Sequence, residues 1–147
     1  VHNWKHGMVV LYMSRVLAAV IAPVLLYVLF VIYGISYRFL TDMPIPRVFS
    51  LFGFMLVYIF SLPFYLIVGI PFSIIIDKIN GKFRWLSYII AGYVILILIA
   101  LVQSFENGNF TIDRESMVAY PLAGFSFFIT LKVIETTFKK LYIKYTQ

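Results

Sequence analysis

The chain has no cysteine among its 147 residues. It therefore holds no disulfide, thiolate metal site or thiol redox relay, which excludes the four-helix membrane oxidoreductases that exchange disulfides with quinones. Charge is scarce too. Asp, Glu, Lys and Arg make up 12% of the residues, against about 25% in a soluble domain. Histidine is limited to His2 and His6, ahead of the first long apolar run, so an intramembrane Ser/His protease is excluded. The interiors of the first three apolar runs contain no Asp, Glu, Lys, Arg or His. Proton-coupled transport needs a titrating group near mid-membrane, and small multidrug exporters need a carboxylate inside their first span. Neither is expected here. Asp113 and Glu115 are too few for a phosphotransferase that holds its metal on carboxylates.

What the chain does have is apolar bulk. It is 63% hydrophobic and 19% aromatic, with a mean hydropathy of +0.97. A soluble globule of this size has too little interior to hide such an excess, so the lipid bilayer is the expected partner. The net charge of +6 comes from basic residues at the ends of apolar runs. Anchoring to anionic headgroups explains that placement, and no nucleic-acid partner is expected.

Crossing a bilayer takes about 20 apolar residues in a helix. The sequence predicts an all-α, integral membrane four-helix bundle, one membrane domain with spans at about 16–37, 48–76, 85–105 and 117–134. Pro23 is expected in the first turns of span one, where a missing donor costs least. The second run, Val48 to Ile76, is longer than a hydrocarbon core of about 30 Å requires. Pro63 and Pro71 are its candidate hinges. A bend at Gly69-Ile-Pro71 would carry Phe72 to Ile76 into the interface, and sequence alone leaves open whether 71–76 are transmembrane or interfacial. Asn80-Gly81 reads as a turn, and Asp113-Arg-Glu115 as the polar approach to helix four. Residues 135–147 read as a cytosolic, amphipathic extension of the fourth helix along the headgroups, with Glu135 and Lys139 as an i,i+4 pair. The chain opens at Val1 with Met8 close behind, so the start is expected at either residue, and no cleavable signal peptide is expected.

Orientation follows from Lys and Arg. One side collects Lys5, Arg15, Lys78, Lys82, Arg84, Lys132, Lys139, Lys140 and Lys144, and the other only Arg38, Arg47 and Arg114. Positive residues stay inside, so both termini are expected in the cytosol. Close helix approach in lipid depends on small residues. Each span offers one small-xxx-small pair, Ala18/Ala22, Gly69/Ser73, Ser87/Ala91 and Ala119/Ala123. They are the candidate packing positions, although such pairs also arise by chance.

No catalytic, cofactor-binding or metal site is expected, and no cofactor. His2 and His6 have the spacing of a metal pair on one helix face, but a frayed, solvated terminus is the simpler account of them. Asp77 with Lys78, Lys82 and Arg84 reads as a partner-binding knob or, more simply, as a positive-inside loop. Gly69-Ile-Pro-Phe-Ser73, followed by Asp77-Lys78 and the basic turn Lys82-Phe-Arg84, resembles small uncharacterised four-span membrane proteins of Gram-positive, spore-forming bacteria. The resemblance covers about twenty residues. It implies a bacterial plasma-membrane location and carries over no functional residue. The expected role is non-enzymatic: interaction with another membrane protein or with a second copy, or protection against a membrane-active peptide. The alternative is a transporter or channel component passing hydrophobic or neutral cargo along Ser61, Ser87, Ser104, Ser126 and Thr130.

Overall fold

The computed structural model describes residues 2–41, 51–79 and 82–146; the side chains of 2–8, 107 and 141–146 lie outside what it describes. The Thr41–Pro46 loop beyond Thr41, the first residues of the expected second span and the Asn80-Gly81 turn fall outside it as well. So do the side chains of His2, His6 and the last part of the expected amphipathic extension.

Among the described residues the chain is helical and has no strand. Helix α1 runs His2–Thr41, α2 Leu51–Phe64, α3 Ile70–Ile79, α4 Arg84–Asn107 and α5 Arg114–Thr146. A π-helical turn, Tyr65–Gly69, joins α2 to α3. Four helical stretches are long and apolar enough to cross a membrane: Val9–Thr41, Leu51–Ile79, Arg84–Glu106 and Arg114–Lys140.

Two expectations about proline change. The apolar residues Val9 to Met13 extend α1 well ahead of Arg15, so Pro23 lies in the helix interior, buried, rather than in a first turn. The chain does not leave the helix ahead of 72–76 either. Helical backbone continues through Gly69, Ile70 and Pro71, and Ser73 and Ile76 are buried against neighbouring helices. The π-turn gives the physical reason. A proline ring clashes with the carbonyl four residues before it. The Ile70 N–H donates to Tyr65 O, five residues back, and this widened ladder makes room for Pro71 without breaking the helix. Pro63 lies two residues ahead of the same turn, exposed.

Helix α4 stops at Gly108, whose φ of 72° places it in the left-handed region; its N–H donates to Ser104 O at 2.8 Å. A residue without a Cβ adopts that conformation most cheaply. Helix α5 is the organising element. It packs along both α1 and α4, and the α2–α3 stretch closes against α1. Ala18, Ala22 and Leu26 of α1, Tyr65, Tyr88 and Phe127 make the core.

The α4–α5 seam is set by two glycines. A Cβ on Gly92 would lie 2.5 Å from Tyr120 O, and one on Gly124 would overlap Tyr88 O. Residues 88 and 92 of α4 thus face 120 and 124 of α5 reciprocally, backbone against backbone. Of the candidate packing positions, Ala18, Ala22 and Ser73 are fully buried, and Ala91 and Ala123 pack on the core from its edge. Gly69 faces the Phe127 ring at 3.3 Å for an added Cβ. Ser87 and Ala119 are half-buried. The closest backbone approach therefore falls one residue beyond Ala91 and Ala123.

Candidate functional site

The α1, α3, α4 and α5 helices each bring one charged side chain to the same end of the molecule. Arg15 comes from the first third of α1, Asp77 from the last turn of α3, Arg84 from the first residue of α4, and Glu135 from the second half of α5. Because these positions meet, successive membrane-length helices alternate in direction. Asp77 is the hub. Its Oδ2 accepts from Arg15 Nη2 at 2.6 Å, and its Oδ1 lies 2.8 Å from Arg84 Nη2. The second contact is an ion pair without hydrogen-bond alignment. Arg84 reaches on to Glu135, Nη1 to Oε2 at 3.3 Å and Nη2 to Oε1 at 3.4 Å.

The four charges cancel. That matters because an unpaired charge buried away from water costs several kcal/mol, and Arg15 is only 2% exposed. Asp77, Arg84 and Glu135 keep 22%, 28% and 29% of their side-chain surface, so the cluster runs from a dry inner arginine to a wetter rim. The rim pair is weak. Substituting Glu135 by Gln should cost less than about 1 kcal/mol, and less still at high salt, as read by detergent unfolding at two ionic strengths.

Four buried polar atoms of the cluster have no aligned hydrogen-bond partner within the protein: Arg15 Nε, Arg84 Nε, the Tyr88 hydroxyl and Asp77 Oδ1, which meets Arg84 by charge alone. Tyr88 is 3% exposed, and its hydroxyl feels Asp77, Arg84 and Arg15 electrostatically. Its ring packs on Phe127 and Phe128, centroids 6.0 and 5.6 Å away. Nearby Lys132 sits over the Phe128 ring at 5.8 Å.

Deeper between the helices lies a second, smaller polar knot. The Tyr65 hydroxyl is 2.6 Å from Ser126 Oγ and 3.0 Å from Ala123 O, while Ser126 also reaches Ala123 O at 2.8 Å. Either of two proton arrangements satisfies all three atoms: one hydroxyl donates to the carbonyl and the other to its fellow hydroxyl. Tyr65→Phe removes the bridge from the π-turn to α5. A cost of about 0.6–2 kcal/mol is expected, the range for hydrogen bonds between membrane helices, measurable by the same unfolding assay.

A partly open cleft of about 30 Å3 lies between the α2–α3 stretch and α4, with α5 as its floor. Tyr65 and Gly69 of the π-turn, Phe72 of α3 and Tyr88 and Ile95 of α4 line it. Ligand sites for whole small molecules occupy about 300–1,000 Å3. This cleft takes the end of a hydrocarbon chain, not a substrate.

Of the hydroxyls that sequence suggested as a path, three are turned to their own helices. Ser61, Ser87 and Thr130 donate to carbonyls four residues back on their own helices, at 2.5, 3.3 and 2.8 Å. None of Ser61, Ser87, Ser104, Ser126 and Thr130 lines the cleft. Glu135 turns to Arg84 across the helices rather than to Lys139. Asp77 and Arg84 are spent on interhelical pairs, not displayed with Lys78 and Lys82 as a knob. Among the described residues no three His, Asp or Glu side chains converge as a metal site.

Sequence reasoning missed the cluster because Arg15, Asp77 and Arg84 stand at the ends of apolar runs, where charges read as anchors. A signal was available. Of the six acidic residues, only Asp77 and Glu135 fall on the side that collects nine basic ones, and those two carry the ion pairs.

No protein-family model, no curated protein and no solved structure matches this chain.

Proposed function

We propose that the chain is a multi-pass four-helix bundle of the bacterial plasma membrane, with both termini cytosolic. It acts without catalysis, by interaction with another membrane protein or by shielding the bilayer from a membrane-active peptide. One observation carries this reading: the buried charges neutralise one another, and the Tyr65 and Ser126 hydroxyls are tied together inside. What the helices present outward is apolar and aromatic, with Phe52, Phe60, Tyr93 and Phe105 between 46% and 89% exposed. Recognition by such a surface proceeds through packing within the membrane. The bias of nine basic residues over three supports the cytosolic placement of the termini.

A photoreactive phenylalanine analogue placed in living cells at Phe60 on one face and Tyr93 on another tests the reading. The expected outcome is a protein or self-adduct of discrete mass from one position and lipid adducts from the other. Lipid adducts alone from every outward position would contradict it.

A further inference from the structure

We propose that the cleft between the α2–α3 stretch and α4 takes the end of one acyl chain of an anionic phospholipid, whose phosphate is received by donors of Arg84, Tyr88 and Arg15. Tyr88 joins the two halves of this site. Its ring lines the cleft, and its hydroxyl, with Arg15 Nε and Arg84 Nε, is buried without a partner in the protein. These three can donate, while the fourth such atom, Asp77 Oδ1, is a carboxylate oxygen held against Arg84 by charge alone. The group complementary to the donors is an oxygen acceptor, and phosphate oxygens accept several such bonds at once.

The ligand is placed by charge and by chain. The cluster is neutral within itself, but exposed Lys78 and Lys82 flank it in sequence, and Lys132 lies nearby on α5. An anionic headgroup is favoured beside them over a zwitterionic one. A free anion would make no use of the aromatic cleft leading away from the donors, whereas a lipid uses both. Arg84 keeps 28% of its side-chain surface exposed. It is the group that swings: its off-axis contact to Asp77 yields to the phosphate, and Asp77 stays on Arg15.

The purified full chain in a nonionic detergent is titrated with dioleoylphosphatidylglycerol, dioleoylphosphatidylcholine or sodium phosphate. Bound lipid is counted by native mass spectrometry, and Tm is followed. Expected are one phosphatidylglycerol retained per chain with a raised Tm, weaker retention of phosphatidylcholine, and no effect of millimolar phosphate. Tyr88→Phe keeps the ring and should change the lipid-free Tm only slightly, by the loss of the hydroxyl's contact with Arg84. It should weaken phosphatidylglycerol binding roughly tenfold, as expected for one hydrogen bond to a charged group. Equal retention of both lipids, or wild-type binding by Tyr88→Phe, overturns the proposal in favour of ordered water alone. A Tm rise with phosphate equal to that with lipid overturns it in favour of a free-anion site.

Discussion

Asp77→Asn destabilises the protein by about 3–5 kcal/mol, the usual cost of stripping one partner from a buried ion pair. The size follows from asymmetry. Asparagine fills the same space, so packing is kept, but Arg15 at 2% exposure retains its charge and loses its counter-ion. Arg84 is less affected, because it still holds Glu135 and remains partly solvated. Arg15→Met removes the charge together with the pair, leaves Asp77 with Arg84, and costs less. The double variant Arg15→Met, Asp77→Asn should then unfold close to Arg15→Met alone, far from the sum of the two single effects. Unfolding in mixed detergent micelles checks all three variants. Asp77→Asn within about 0.5 kcal/mol of wild type, the scale of ordinary surface changes, would mean that the Arg15–Asp77 contact is not a buried pair.

The second large effect is steric. Ala at Gly124 drives a Cβ into the Tyr88 carbonyl, and Ala at Gly92 puts one 2.5 Å from Tyr120 O and 2.9 Å from the Pro121 Cα. The obstacles are backbone atoms, which cannot rotate away as a side chain would, so α4 and α5 must separate. Overpacking costs about 1–3 kcal/mol, and Gly124→Ala should lie at or above the top of that range. Gly108→Ala is the contrast. Nothing lies within 4 Å of its added Cβ, and only the left-handed backbone is penalised, by about 1–2 kcal/mol, without loosening the seam. Cross-linking between α4 and α5 separates the cases, since it falls in Gly92→Ala and Gly124→Ala and stays unchanged in Gly108→Ala. Equal cross-linking in all three would contradict the backbone contact.

Hydropathy made the helices legible. Runs such as Val16 to Tyr37 and Trp85 to Phe105 lack charge altogether, and each of the four expected spans lies within, or largely within, an observed helix. Less legible was anything that depends on two helices at once. Small residues at 87/91 and 119/123 marked packing positions without saying which helix meets which, and the register at 88/92 and 120/124 depends on how ridges of one helix meet grooves of the other. The π-turn could not be foreseen. Prolines 63 and 71 announce missing hydrogen bonds, and whether a helix bends or widens there is decided by what packs on it, in this case Tyr65 stacked on Phe127 at 5.6 Å. Charges at span ends carried the deepest ambiguity. An anchoring arginine and a buried one look alike until the carboxylate opposite is known.

The lack of cysteine makes the most direct test simple. Single cysteines replace Lys82, between α3 and α4, and Thr111, between α4 and α5, both exposed, and intact cells are treated with a membrane-impermeant maleimide. Four crossings with the ion cluster at the cytosolic end require Thr111→Cys to label from outside and Lys82→Cys only after the membrane is breached. Labelling of both positions from the same side would mean that α4 does not cross the membrane, and the account would fail with it.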